Sequence, residues 1–544
     1  MQRISLSLLV LCVLAAHADS SLAAAADWPS YNRTLTSERY VALDAINTKN
    51  VGELKVLCEY DTGQQTGFQT GLIQVDGLLF GTTEQDTFAI DPDSCKEVWR
   101  SHETFEPGML KVNRGIAWLD GRVFRGSTDG RVLAYEAKTG KRLWATTIAD
   151  AARGESVPAA PIAWNGLVFI GNAGGDNKGV KGRMYALDAN DGHIVWEFYL
   201  VPKEAGDFAR GPTAPAAADD AALTWKNEAG FPITGGATWT SYTLDPASGL
   251  LYVPGGNPAP DFVPAVRGGT NLYSGSVVVL DAKTGAYQKH FQLVTRDFHD
   301  WDVSAAPSLF ASKGRNLMAV TPKDGHLHVF DVAAGKALYR KPMTRVFNDD
   351  SPIAADGTRF CPGTQGGAEW NGPAYDPGHD LIFTGEVDWC VTVHADADAK
   401  KNLAEAPSGK PWSGSPDGFG QLDDVKKWAG WMTASDAGSG KRKWQFKAPA
   451  PLLGGTTPTA GGVLFFGDAG GMLYALDAAG GKKLWSQDLG GAIGGGVISY
   501  DTGAGQRVAV AAGMTSPIWP TPKVNAKVVV LGLGDAGTEK GAAK

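Results

Sequence analysis

Along most of the chain, apolar and polar positions alternate in runs of roughly four to eight residues, interrupted by DG, NG or GG turns. GIAWLDGRVFRGSTDG (115–130), PIAWNGLVFIG (161–171) and GGVLFFGDAGG (461–471) read as half-buried strand pairs joined by tight turns. Downstream of each comes a second hairpin with a fixed frame. Its clear copies are AIDPDSCKEVW (89–99), AYEAKTGKRLW (134–144), ALDANDGHIVW (186–196), ASDAGSGKRKW (434–444) and ALDAAGGKKLW (475–485). Ala opens the frame, an acid stands third, Gly seventh and Trp eleventh, except that Cys95 takes the Gly place in the first copy. VLDAKTGAYQK (279–289) and VFDVAAGKALY (329–339) are weaker copies, with Tyr339 in the Trp position of the second. The Gly supplies the positive φ of the turn, and the Trp brings a large apolar ring to a repeated packing position.

Four strands per unit at a spacing of roughly 40–50 residues is the signature of a propeller. The pattern predicts an all-β fold, an eight-bladed β-propeller with repeated tryptophan docking. Seven blades carry the motif, and an eighth joins 495–531 to the N-terminal strand 54–60. Two stretches rich in Ala, Gly, Pro and charge, 200–234 and 395–427, read as excursions from the ring, so that 26–544 forms a single domain.

The 70 Gly and 17 Trp fit this reading. A net charge of -8 without a basic cluster gives no expectation of a nucleic-acid partner. Arg3, the apolar run 4–16 and the small-residue sites Ala16-His17-Ala18 or Ala23-Ala24-Ala25 read as a signal peptide over 1–25, cleaved near 18 or 25. No later stretch is apolar enough to span a bilayer, so a soluble periplasmic protein is expected. With Cys12 inside the leader, Cys58, Cys95, Cys361 and Cys390 remain, an even number suited to an oxidising compartment. Paired by order they give Cys58–Cys95 and Cys361–Cys390, each worth about 3–4 kcal/mol by loop entropy. No CxxCH occurs, so no c-type haem is attached to this chain.

The chemistry gathers around DFHDWD (297–302). Three acids this close call for a metal, an arginine or a raised pKa. In the four-strand scheme Asp300 and Asp302 fall between units, while Gln69, Arg114, Trp239, Glu369 and Trp370 precede inner strands. Asp176, Asn257 and Lys323 follow second strands, which puts the whole set on one face of the ring. Carboxylates with Asn257 suit a hard cation, Arg114 and Lys323 suit an anion, and Trp239 adds a flat apolar surface. The set describes a pocket for a planar, polyanionic, metal-chelating cofactor.

The repeats occur together with DWPSYN (27–32), INTKNVGEL (46–54), NRGIAWLDGRVF, GNPAP, HDWD and CPGTQGGAEWNGPAYDP. In this combination the chain resembles the pyrroloquinoline quinone (PQQ) dependent alcohol dehydrogenases, eight-bladed quinoproteins, over essentially its whole mature length. The resemblance implies oxidation of a small alcohol, polyol or sugar, with PQQ and Ca2+ or a lanthanide as cofactors and a separate periplasmic cytochrome c as electron acceptor. It makes Asp300 the general base, its pKa kept low by the cation, and Asp176, Asn257, Asp300 and Asp302 the metal ligands. AGGDNKGVKG leaves Asn177 competing with Asp176. Arg114, Lys323, Gln69, Ser156, Glu369 and Trp370 would contact PQQ, and Trp239 would be its stacking floor. Asp297 would anchor the loop, and His299 would be structural.

Two departures stand out. Where many members carry adjacent cysteines over the cofactor, this chain reads Pro107-Gly108-Met109-Leu110. Asp302 resembles the extra carboxylate of lanthanide-using members, yet calcium- and magnesium-using members also carry an acid there, and calcium is taken first. A non-catalytic envelope scaffold and a sugar- or polymer-binding propeller are the competing readings, since fold alone does not fix function.

Overall fold

The alternating runs become mainly antiparallel strands; inner ones such as Leu381–Asp388 and Val463–Gly467 are buried on both faces, while outer ones such as Arg142–Thr147 stay partly exposed. The computed structural model describes residues 26–106, 111–215 and 220–534; the leader-like segment and 107–110 lie outside these. The described residues form eight sheets of four or five strands, a β-propeller, together with three smaller sheets. Seven of the eight follow chain order. The remaining sheet places Leu54–Asp61 at its edge against Lys527–Leu533, followed inward by Gln506–Ala512 and Val497–Asp501, so N-terminal and C-terminal strands share it.

The frame read from the sequence has a constant local geometry. A register shift sits just after its opening residue, at Ala89/Ile90, Ala186/Leu187, Val279/Leu280, Val329/Phe330, Ala434/Ser435 and Ala475/Leu476. Such bulges bend and twist a strand locally. The eleventh-position side chain then reaches the next sheet. Trp99, Trp144, Trp196 and Trp444 donate their indole N–H to the backbone oxygens of Ala137, Ala189, Ala282 and Ala478 at 2.9, 3.2, 3.1 and 3.0 Å. The same rings cover the seventh-position glycines 140, 192, 285 and 481, where a Cβ would lie 2.3–2.6 Å from the indole. Tyr339 keeps the arrangement, its hydroxyl donating to Ala437 O at 2.9 Å. Even Lys289, which has no ring, donates from Nζ to Val332 O at 2.8 Å.

One joint differs. Cys95 occupies the glycine place with φ 58° and is bonded to Cys58 on the edge strand of the closing sheet. The disulfide therefore stands where five other joints have an aromatic ring over a glycine, at Gly140, Gly192, Gly285, Gly440 and Gly481. Cys361–Cys390 is also formed, so both bonds pair as the chain order suggested.

The excursions add only small pieces: Lys226–Asn227 pairs Arg267–Gly268, Thr234–Gly235 pairs Pro258–Ala259, and Thr358–Phe360 joins Val391–Val393 and Gln421–Leu422. The short helix Ala399–Glu405 is fastened by buried Lys178, whose Nζ donates to the carbonyls of Leu403, Ala404 and Ala406 at 2.8–2.9 Å. The second excursion is thereby held against the loop that carries Asp176, and Trp412 N–H donates to Asp176 O at 2.8 Å.

Candidate active site

Every site residue named from the sequence lines one cavity of about 670 Å³: Gln69, Arg114, Ser156, Asp176, Trp239, Asn257, Asp300, Asp302, Lys323, Glu369 and Trp370.

Its acidic side is set by the 297–302 loop. Asp297 holds the loop's backbone, one carboxylate oxygen accepting from His299 N–H at 3.1 Å and the other from Trp301 N–H at 3.0 Å. His299 is buried and stacked on Trp301, ring centres 4.1 Å apart, with Phe360 edge-on to both. Asp300, at the apex of this braced loop, takes a left-handed φ of 64°, a strained conformation that Asp tolerates better than most residues. Lys323 Nζ lies 3.3 Å from Asp300 Oδ2 and 2.8 Å from Asp302 Oδ2.

Carboxylate oxygens of Asp176, Asp261 and Asp300 come within 4.8 Å of one another. Asp261 had no place in the sequence argument: it sits in PAPDF among apolar neighbours, without a spacing signature. Asn257 connects it to the rest, donating from Nδ2 to Asp261 Oδ1 at 3.0 Å and from its backbone N–H to Asp302 Oδ1 at 3.0 Å. Asp176 rather than Asn177 belongs to the trio; Asn177 Nδ2 donates to Gly154 O at 2.8 Å. Asp302 shares the cavity but already has partners on both oxygens, Lys323 and Asn257 N–H.

The protein groups alone work against ionisation here. Burial, followed by the neighbouring carboxylates, pushes Asp300 well above the usual range, although Lys323 opposes the shift. The low pKa expected for this base is therefore not supplied by the chain itself; it requires a cation among the acids. Burial and Asp302 raise Asp176 to about 6. Burial would lower Lys323, but Asp300, Asp302 and Glu369 outweigh it and hold the ammonium charged, well above its ordinary value.

The opposite wall is cationic and aromatic. Arg114 is buried, its guanidinium 4.6 Å from the Trp239 ring centre and 5.1 Å from that of Trp370, and Nη1 donates to Trp239 O at 2.9 Å. Burial lowers its pKa to about 10, so it stays charged at neutral pH. Lys323 Nζ lies 5.6 Å from the Trp239 ring centre. Trp370 is anchored from Nε1 to Gly494 O at 2.7 Å. Ser156 lines the wall through a two-way backbone bridge to Ala173. Two buried lining atoms, Gln69 Oε1 and Glu369 Oε1, have no hydrogen-bond partner within the protein. Buried polar atoms are rarely left so, and these suit a polar ligand in the cavity.

Fold and cavity together define a β-propeller that holds a polar, anion-accepting and cation-accepting pocket. Residues 28–351 match the family described as glucose/ethanol/alcohol dehydrogenase, PQQ β-propeller domain, and residues 429–527 match outer membrane protein assembly factor BamB. The dehydrogenase subunit of quinone alcohol dehydrogenase from Acetobacter aceti is 31% identical over 90% of this chain and 71% of its own length. Lanthanide-dependent methanol dehydrogenase from Methylacidiphilum fumariolicum (strain SolV) is 28% identical over 87% and 82%. Among solved structures, the quinohemoprotein alcohol dehydrogenase from Comamonas testosteroni superposes with a TM-score of 0.82 at 27% identity, covering 93% of this chain and 80% of that one. A europium-containing methanol dehydrogenase gives 0.80 at 26%, covering 94% and 98%. The chain belongs to the family of PQQ-dependent alcohol dehydrogenases, oxidoreductases that use PQQ with Ca2+ or a lanthanide.

Proposed function

We propose that this chain is a periplasmic, eight-bladed quinoprotein that oxidises an alcohol to an aldehyde or ketone and passes the electrons to a separate cytochrome c. The observation that carries the reading is the meeting, in one cavity, of the carboxylates Asp176, Asp300 and Asp302, two buried cations and an aromatic wall. The residues fit the cofactors. Asp176, Asn257 and Asp300 would hold the metal, with Asp302 beside them. Arg114, Lys323, Gln69, Ser156 and Glu369 would hold the PQQ polar groups, and Trp239 and Trp370 its ring system. When bound, PQQ supplies the electron-accepting quinone and the metal the Lewis acid that polarises it.

The chain's own part is positioning and proton transfer. Asp300 accepts the alcohol hydroxyl proton on its carboxylate. Lys323, at 3.3 Å, stabilises the ionised form that this requires. Asp302 keeps Lys323 in place through the 2.8 Å contact. Phe419, Ile518 and Trp519 add apolar surface to the cavity, suited to the carbon skeleton of the alcohol. Export is supported by the leader-like N-terminus and the two disulfides. A separate electron acceptor is supported by the lack of a CxxCH in the sequence.

A scaffold reading rests on the BamB-like stretch 429–527, which contributes no charged residue to the cavity. Reconstitution tests the choice. Purified protein given PQQ plus Ca2+ or a lanthanide should take up PQQ and reduce an artificial acceptor with some member of an alcohol panel. Failure to take up PQQ with any metal would end the enzyme reading.

A further inference from the structure

Asp261 is the one charged group at the acid cluster for which the PQQ–metal reading assigns no role. It is completely buried, and its Oδ2 has no hydrogen-bond partner. Among the described residues no cation lies within ion-pair distance of its carboxylate. Arg267, also completely buried, is nearby but commits its donors elsewhere: Nε to Pro260 O at 3.0 Å, Nη1 to Asn271 Oδ1 at 2.9 Å, and Nη2 to the backbone oxygens of Asp261 at 3.0 Å and Asp297 at 2.5 Å. Arg267 thus ties the Asp261 loop to the loop of the proposed base and attracts the acid through space, without a hydrogen bond to its carboxylate. An isolated buried carboxylate is costly, and evolution usually pairs it or gives it a metal.

We infer that Asp261 is a third carboxylate ligand of the cation held by Asp176 and Asp300, and that it biases the site toward a trivalent ion of calcium-like size. The inference rests on the PQQ–metal reading given above and extends it to the choice of metal. The Asn257 amide N–H₂ that Asp261 Oδ1 accepts also fixes the Asn257 side chain, leaving Asp261 Oδ2 free for the cluster whose oxygens lie within 4.8 Å. The charge balance points the same way. Lys323 is shared between Asp300 and Asp302, and the shorter contact is to Asp302, so one ammonium and one carboxylate offset each other. Three acids then face the ion. Counting these four acids and Lys323 alone, a divalent ion leaves one negative charge uncompensated in a buried site, whereas a trivalent ion leaves none, and oxygen-ligand sites are tuned by ligand charge. This reverses the calcium preference taken from the sequence, and it moves the deciding residue from Asp302 to Asp261.

The test uses the full-length mature chain reconstituted with PQQ, titrated with Tb3+ alone, with Ca2+ alone and with the two in competition. Tb3+ is read by luminescence excited through the nearby tryptophans, and bound metal is counted by mass spectrometry. The wild type should prefer Tb3+. Asp261→Asn should reduce the Tb3+/Ca2+ preference by about tenfold or more, while Asp261→Glu, which keeps the charge, should retain most of it. Melting temperatures provide a second readout. Without added metal, Asp261→Asn should melt at or above the wild type, because a buried repulsion is gone; with Tb3+ it should melt below it. An unchanged preference in Asp261→Asn, a wild type that prefers Ca2+, or a variant less stable in both conditions would overturn the inference while leaving the PQQ–metal reading standing. A wild type that binds neither ion with PQQ would remove both.

Discussion

At the level of single residues, the position of Asp300 is decided by its backbone. Asp297 takes the N–H groups on either side of it, and the left-handed φ of 64° turns the carboxylate toward Lys323. Asp300→Ala is expected to lower kcat by about 10²–10⁴-fold, the usual worth of a positioned base. The protein should still fold, with a loss of about 1–2 kcal/mol for Ala at a left-handed φ; turnover within a few-fold of wild type would remove the assignment. Glu369 gives a pH test. Burial raises it to about 7, with Asp302 adding to the shift and Lys323 and Arg114 opposing it. The folded protein therefore keeps a proton that the unfolded chain releases from about pH 4.3 upward. The stability this provides is complete below that pH and is lost as pH rises through about 7, by up to roughly 3 kcal/mol. In the protein before reconstitution, Glu369→Gln should flatten the fall in urea midpoint between pH 5 and 8; an unaltered slope would show that another group carries it. The eleven named residues that line this cavity were legible because the four-strand repeat fixes which loops share a face. Asp261 was not. Its role comes from Arg267 and Asn257 drawing PAPDF under the base loop, a long-range arrangement that no local spacing reports.

At the level of elements, the frame separates two jobs of its glycine. Gly481 and Gly335 both have positive φ, 73° and 64°, but Trp444 covers the first and nothing lies within 4 Å of a Cβ on the second. Replacing either by Ala incurs the left-handed cost of about 1–2 kcal/mol. Gly481→Ala also meets the indole at 2.6 Å, adding an overpacking cost of about 1–3 kcal/mol. Denaturant unfolding should rank Gly481→Ala clearly below Gly335→Ala, and equal losses would mean the ring contact bears no load. The frame was readable because it repeats with its Ala, acid and Gly in place. Tyr339 takes the Trp role as its place in the frame suggested, but that Lys289 reaches the same carbonyl position was not readable, since reach to a neighbouring sheet depends on the bulge rather than on residue type. The disulfides also divide by element. Cys361–Cys390 braces the segment whose Pro362 O accepts from Trp301 Nε1 at 3.3 Å and whose Phe360 packs on His299. Replacing both of these cysteines by serine should destabilise the fold by about 3–4 kcal/mol and lower kcat as well. The same change at Cys58 and Cys95 should cost similar stability and leave kcat in the surviving folded protein close to wild type.

For the whole molecule, closure depends on strands far apart in sequence. Lys527–Leu533 lies between Leu54–Asp61 and Gln506–Ala512, bonded on both sides. A chain ending at Ala526 loses the strand that connects the two ends, and it should lose cooperative unfolding together with PQQ uptake. Retention of both would show that the remaining sheets are self-sufficient. Across this joint, Tyr500 hydroxyl donates to Pro92 O at 2.9 Å and Arg507 Nε meets Asp93 at 2.9 Å, beside the Cys58–Cys95 bond. That bond replaces the ring-over-glycine contact found at other joints, and the replacement makes closure conditional on chemistry outside the protein. With the disulfide reduced the joint has neither indole nor covalent bond, and its edge strand is held by backbone pairing, by Tyr60 packed on Phe88 and hydrogen-bonded to Glu97 and Arg100, and by these polar contacts. Opening this one bond is therefore expected to loosen the closing joint first, which urea unfolding with and without a thiol reductant would show.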